Sequence, residues 1–130
     1  MAETIELEIA TPARQLVREA VTDVQIPGKD GYLGILPGHA ALLGLLGTGA
    51  LFYSSGGRKR YLAIQGGFVE VLPEHVRVLA DIAEPAEDID VASAQAALSR
   101  AEGEETGADS ENALQAVALA QARIEAAKHA

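Results

Sequence analysis

The distribution of proline and glycine divides this chain into two segments that follow different folding rules. All five prolines and most of the 13 glycines precede residue 87, whereas residues 87–130 are rich in alanine and contain no proline. Proline and glycine interrupt regular structure at turns, while alanine-rich sequence without proline favours helix. We therefore predict an α+β protein with one domain over residues 1–86 and a helical domain over residues 87–130.

The N-terminal segment alternates apolar and polar residues, which is typical of strands with one buried and one solvated face. Turn signals follow one another closely, and Gly56-Gly57 between two apolar runs predicts a β-hairpin. Short strands at this spacing favour an antiparallel β-sandwich or barrel. The buried positions predicted in its first and last strands are Ile5, Leu7, Ile9, Val76, Val78, Ala80 and Ile82.

The C-terminal segment has helical periodicity in two stretches, which together predict an antiparallel two-helix hairpin. Asp88 or Asp90 can cap the first helix, residues 103–107 interrupt the pattern, and Asp109 or Ser110 can cap the second helix. The predicted buried faces comprise Val91, Ala94, Leu98 and Ala101, then Ala113, Val117, Ala120, Ile124 and Ala127. Such small side chains bury little area, so the hairpin either packs in the ordinary way or docks reversibly.

Composition argues against several kinds of partner and site. A net charge of -9 argues against binding to nucleic acid or to an anionic membrane surface, and the absence of cysteine excludes disulfides. The N-terminus lacks the features of a signal peptide. The longest apolar stretch, residues 40–53, contains glycines and is too short to span a bilayer. We therefore predict a protein that is peripheral to a membrane at most.

The sequence contains no motif typical of a catalytic, phosphate-binding or metal site. His39, His75 and His129 are far apart in the chain. His39, after a Pro-Gly turn, either holds that turn by a local hydrogen bond or meets a partner. Residues 58–60 are basic, but three basic residues are too few for nucleic acid and suit a solvated hairpin end. We expect a binding or structural role with no metal and no cofactor.

One segment, Gly31–Leu43, combines three glycines with Pro37 and His39 among aliphatic residues. It resembles the signature of the epsilon subunit of bacterial-type ATP synthase. Residues 63–71 and 76–81 are also similar to that family, in the same order and with the same spacing. The resemblance implies an N-terminal β-sandwich followed by a C-terminal helical hairpin.

The resemblance also implies a function, that of a non-catalytic subunit in the central rotor stalk of the proton-translocating ATP synthase. Such a subunit lies peripherally at the cytoplasmic face of the bacterial inner membrane and contacts the gamma subunit and the c-ring. Its C-terminal helices extend toward the alpha–beta catalytic hexamer and restrain ATP hydrolysis. The implied interface with gamma and the c-ring holds Gly31, Tyr32, Pro37, Gly38 and His39, although relatives more often have an acidic or polar residue at position 32.

Some members of this family bind ATP at the hairpin through the pattern Ile/Leu-Asp-x-x-Arg-Ala. This chain matches it at Ile89, Asp90 and Ala94 but has serine at position 93 in place of the arginine, which leaves Arg100 and Arg123 to contact phosphate. Serine cannot form the paired hydrogen bonds that a guanidinium makes with phosphate. We therefore expect weak ATP binding or none.

The residues alone are compatible with two other functions. One is a stand-alone ligand-binding β-sandwich with a helical tail, and the other is a small enzyme, which the lack of a catalytic motif disfavours. Binding to a gamma subunit separates the rotor-stalk subunit from the ligand-binding module, because only the stalk subunit requires it.

Overall fold

The computed structural model describes residues 3–104 and 110–130. The α+β class is confirmed, with a β-sandwich followed by a helical hairpin. The predicted interruption at residues 103–107 is wrong at residues 103–104, which continue the first helix, and its other residues lie outside the described residues. The predicted cap of the second helix, at residue 109 or the side chain of Ser110, lies outside them as well. The elements are β1 (Ile5–Ala10), β2 (Gln15–Val21), β3 (Asp23–Gly28), β4 (Gly31–Ile35), β5 (Leu42–Leu45), β6 (Thr48–Ser55), β7 (Arg58–Leu72), β8 (His75–Pro85), a 3-10 turn (Ala86–Asp88), α1 (Val91–Glu104) and α2 (Ser110–Ala127).

Two long strands, β7 and β8, take part in both layers of the sandwich. In one layer, the first half of β7 pairs with β6, β6 pairs with β3, and β3 pairs with β4. The second half of β7 pairs with β5, while β8 pairs with β1 and β1 with β2, and this forms the other layer. The pairs are antiparallel except that β1 runs parallel to β8. The predicted β6–β7 hairpin at residues 56–57 is confirmed.

The alternation predicted for β8 holds through Ala80 and is wrong at Ile82, which is 42% exposed. The neighbouring strand contains Gly66 and Gly67 with positive φ angles of 71° and 111°. There the β7–β8 ladder passes from the pair of Gln65 with Ile82 to the pair of Gly67 with Ala80, with no pair between them. The register is the same on both sides of this gap, so no residue is inserted. The gap lies where β7 and β8 pass from one layer to the other, and beyond it Ala83 rather than Ile82 packs against the core, so strict period-two reasoning placed Ile82 incorrectly.

The core lies between the two layers and is built from aliphatic residues of β1–β4 and β6–β8 together with Leu46 and Tyr53. Ile5, Leu7 and Ile9 are almost completely buried, as predicted. Each large aliphatic side chain buried in this way stabilises the folded state by about 1.5–3 kcal/mol relative to an exposed side chain. Because every residue of this cluster precedes the helices, the sandwich has a hydrophobic core of its own.

The first helix begins at the residue after Asp90, whose carboxylate accepts a hydrogen bond from the Ser93 N–H over 3.1 Å. Of the two predicted caps, Asp90 is therefore the one that is formed. Ala94 and Ala101 on the predicted face are buried, whereas Val91 is 42% exposed, contrary to the prediction. The face that α1 buries thus begins one turn later than the sequence indicates.

The second helix buries two faces, of which the sequence analysis found one. Ala113 and Ala120 are buried as predicted, but Ala122 and Ala126 are buried as well and face the sandwich. There they meet alanines of β6 and β7 and of the 3-10 turn. We call this contact the alanine dock, and its members are Ala50, Ala63, Ala86, Ala122 and Ala126.

Candidate functional site

The first candidate surface is the loop between β4 and β5, which carries Pro37, Gly38 and His39. The Gly38 N–H donates to the Pro73 carbonyl over 2.9 Å, and the His39 N–H donates to the Leu36 carbonyl over 3.1 Å. Gly38 has a φ angle of 84°, a conformation that favours glycine. The loop is therefore fixed against the β7–β8 turn and presents a defined surface at this end of the sandwich.

The His39 ring has a local partner and is half-buried. Its Nδ1 lies 2.7 Å from the Ala40 carbonyl oxygen, which can only accept, so Nδ1–H is the donor. In the neutral ring this leaves Nε2 as an acceptor for a partner. The local hydrogen bond and a contact with another subunit are thus compatible for this side chain.

Gly31 and Tyr32 lie at the other end of β4, so the structure does not place all five predicted interface residues together. A five-residue strand is about 17 Å long, which separates this pair from the β4–β5 loop. The Tyr32 hydroxyl accepts a hydrogen bond from the Ala50 N–H over 3.2 Å and leaves no room for a side chain at Gly49. Its ring remains 53% exposed. The five residues therefore mark one edge of the sandwich rather than a single spot.

A groove of about 310 Å³ lies along this edge, between the β3–β4 turn and β5. Its walls are mainly apolar, and Tyr32 forms part of them. Concave apolar surface of this kind suits the side chain of a protein partner. The groove is lined by residues 28–33 together with Leu42, Gly44 and Leu45.

A second candidate surface lies on the outer face of the sandwich and was not assigned by the sequence analysis. Leu45 pairs with Phe68, and Phe68 pairs with Leu79, so the three side chains form a line across β5, β7 and β8. They are 49%, 55% and 46% exposed. We call this line the apolar row. The signal for it was present in the sequence, because Phe68 and Leu79 occupy positions that period two assigns to solvent.

Beside the apolar row lies a line of charged residues. Arg77 Nε donates to Glu8 over 2.9 Å, and Arg77 also lies 3.8 Å from a Glu70 oxygen. The hydrogen bond from Arg77 lowers the pKa of the Glu8 carboxyl, partly opposed by the cost of burying its charge. The charges of Glu8, Arg77 and Glu70 are therefore paired with one another on this side of the apolar row, so a partner that covers them does not bury an unpaired ion there.

The residues predicted to contact nucleotide are mostly engaged with the protein itself. Ile89 packs against the alanine dock, Asp90 caps α1, and Ala94 is buried. Arg123 Nε donates to Glu84 over 2.8 Å, whereas Arg100 is exposed on α1. A phosphate that approached Arg123 would compete with Glu84 for the guanidinium.

Residues 3–104 and 110–130 contain no group of three or more histidine, aspartate or glutamate side chains arranged to hold a metal ion. Neither described helix is sufficiently long and apolar to cross a bilayer.

Comparisons with known proteins agree with these features. Residues 4–86 match the family model described as ATP synthase, Delta/Epsilon chain, beta-sandwich domain. The chain is 57% identical to an ATP synthase epsilon chain of Solibacter usitatus, over 95% of this chain and 96% of that one. The chain belongs to the ATP synthase epsilon family. The resemblance stated from the sequence is confirmed.

Other epsilon chains and solved structures extend the comparison. An epsilon chain of Koribacter versatilis is 53% identical over 78% of this chain and 72% of its own length. A chain of the Euglena gracilis mitochondrial ATP synthase, in a structure of OSCP, F1 and the c-ring, is 28% identical with a TM-score of 0.84. It covers 97% of this epsilon chain and 82% of its own, so the comparison includes the helices. A chain of the Tetrahymena thermophila central stalk and c-ring, 16% identical with a TM-score of 0.63, shares the fold.

Proposed function

We propose that this chain is a non-catalytic subunit of the central stalk in a bacterial proton-translocating ATP synthase, where it couples proton flow to ATP synthesis. The observation that carries the proposal is the 57% identity to an epsilon chain over almost the full length of both proteins. Likeness to a chain solved together with F1 and the c-ring supports it. In this position the subunit lies at the cytoplasmic face of the membrane and is peripheral to it.

The two candidate surfaces suit the two rotor partners of such a subunit. The apolar row offers large half-exposed side chains in a contiguous line, which is typical of a protein interaction site. We assign this row to the gamma subunit. The edge that carries Tyr32 and the β4–β5 loop with His39 is assigned to the c-ring and to the part of gamma next to it.

Assembly with the gamma subunit tests this function directly. We expect the chain to co-elute with a purified gamma subunit of the same species in gel filtration, because the apolar row leaves water on binding. Separate elution at micromolar concentrations would contradict the stalk assignment and favour the alternative of a stand-alone ligand-binding module.

His39→Asp is the variant that tests the β4–β5 loop in the same assembly. A carboxylate in a contact that excludes water costs about 1–3 kcal/mol, so affinity for the gamma and c-ring assembly is expected to fall about five- to 150-fold. His39→Asn is the matched control, because it is polar and uncharged. Equal affinity of the aspartate variant and the unmodified chain would remove His39 from the interface.

The helical hairpin is assigned the second role of this subunit, restraint of ATP hydrolysis at the alpha–beta catalytic hexamer. Its contact with the sandwich consists largely of alanine, which gains little from burial compared with leucine or isoleucine. The hairpin can therefore leave the sandwich at modest cost. A low cost of release is what a subunit needs if it alternates between a docked and an extended state.

Nucleotide is expected to bind this chain weakly or not at all. Ser93 stands where the ATP-binding pattern has arginine, and Arg123 is already paired with Glu84 over 2.8 Å. Titration calorimetry of the isolated protein with ATP is expected to give no tight binding, whereas Ser93→Arg is expected to increase the affinity. Ser99→Arg, on an exposed part of the same helix, is the control for added charge. Tight binding to the unmodified chain would contradict this prediction.

A further inference from the structure

The hairpin is attached to the sandwich through one helix. In the described residues α2 packs against β6 and β7, while α1 packs extensively against α2. Release of α2 from the sandwich therefore releases both helices together. The contacts of α2 with the sandwich set the fraction of molecules in which the hairpin is released.

Two polar contacts reinforce the alanine dock along α2. Gln65 Nε2 donates to the Gln115 carbonyl over 2.9 Å, and Arg123 Nε donates to Glu84 over 2.8 Å. Both join α2 to strands of the sandwich. Both contacts are made by residues within α2, which ends at Ala127. Neither contact involves residues 128–130, which follow the helix.

An aromatic contact holds that end. The His129 ring stacks on the Tyr61 ring of β7, with centroids 3.9 Å apart and an angle of 12° between the ring planes. Tyr61 in turn meets Phe52 of β6 with centroids 5.1 Å apart, and Lys59 Nζ lies 4.9 Å from the Phe52 ring centre. His129 thus joins a continuous series of rings on the surface of the sandwich.

We propose that the Tyr61–His129 stack is a latch that keeps the helical hairpin docked. Because the dock itself is made of small side chains, a single stacked pair changes the balance between docked and released hairpins appreciably. The interaction free energies typical of aromatic pairs correspond to a two- to tenfold change in the ratio of docked to released hairpins. The regulatory consequence rests on the proposed restraint of hydrolysis by the hairpin.

A single introduced thiol reports docking cleanly, because the chain has no cysteine of its own. Ala50 is 8% exposed in the dock and shares a cleft with Ala118 and Ala122, in the middle of α2. In an Ala50→Cys background, a thiol reagent gains access when α2 leaves the sandwich. Fraying of the last turn alone does not uncover this position. Ser99→Cys, on an exposed part of α1, reports the reactivity of an open thiol.

His129→Ala in the Ala50→Cys background is expected to raise the labelling rate about two- to tenfold. His129→Phe, which keeps an aromatic ring, is expected to restore slow labelling. Lys128→Ala is the matched control, because Lys128 and His129 both lie 3.9 Å from Glu125 but only His129 stacks on Tyr61. Labelling at Ser99→Cys is expected to stay constant in all variants.

An unchanged labelling rate in His129→Ala, or an equal rise in Lys128→Ala, would overturn the latch. In the assembled ATP synthase, His129→Ala is expected to lower ATP hydrolysis, because more hairpins are released to reach the catalytic hexamer. Faster labelling with unchanged hydrolysis would establish the latch and contradict the restraint. Failure of the latch is therefore distinguishable from failure of the proposed restraint of hydrolysis.

Discussion

Removal of residues 87–130 is expected to leave a folded sandwich and to raise ATP hydrolysis by the assembled enzyme. The sandwich keeps its fold because its large aliphatic core lies before the cut, while the surface it loses is mostly the alanine dock. If the hairpin holds half of the enzymes inhibited, its removal doubles hydrolysis, and a larger inhibited fraction gives a larger rise. Steady-state hydrolysis by complexes reconstituted with either form measures the effect.

Three controls accompany the truncation. Co-elution with gamma and proton-driven ATP synthesis are expected to be retained, because the apolar row and the β4–β5 loop lie in the sandwich. Circular dichroism checks that the shortened chain is folded. Unchanged hydrolysis in a complex that contains the shortened subunit would mean that the hairpin does not inhibit, and a purely structural role would then be the better description.

Gly67→Ala is expected to destabilise the sandwich by about 3 kcal/mol or more. Gly67 has a φ angle of 111°, and an added Cβ would overlap the Leu79 carbonyl oxygen and lie 2.9 Å from the Ala80 Cα. Backbone strain at residue 67 and steric overlap with β8 both add to the loss of stability. The overlap cannot be relieved, because moving β8 away would break its hydrogen bonds with β7. Urea unfolding followed by circular dichroism measures the loss.

Gly57→Ala is the matched control for this prediction. Gly57 has a comparable positive φ angle of 79° in the β6–β7 hairpin, but nothing lies within 4 Å of its added Cβ. Backbone strain alone is expected to cost about 1–2 kcal/mol there. Equal losses of stability in the two variants would show that overlap with β8 adds nothing to the cost of the Gly67→Ala substitution.

Local signals in the sequence were sufficient for several elements of this protein. Alternation of apolar residues identified the buried face of β1, the glycine pair at residues 56–57 identified a hairpin, and Asp90 was one of two proposed caps for α1. Each of these rests on interactions between residues close together in the chain. The family signature in Gly31–Leu43 is of the same kind, because the order of its residues is visible without knowledge of contacts.

Contacts between distant segments were not predictable in this way. Ile82 is exposed just beyond the point where β7 and β8 pass from one layer to the other, and the sequence of β8 carries no trace of that passage. The second buried face of α2 was missed because alanine occurs on more than one side of this helix, and following a single row of apolar residues leaves the others out. Alternation alone assigns Phe68 and Leu79 to the solvent face, but only strand pairing shows that they lie in line with Leu45.

The sequence by itself determined the α+β class, the existence of the helical hairpin and the family, because periodicity, turn residues and motif order are local properties. The tertiary structure decided where Tyr32 and His39 lie relative to each other, which alanines form the dock, and that His129 reaches Tyr61. These features depend on strand register and on the angle at which α2 crosses the sheet. Both are set by packing among many residues at once, which no single segment encodes.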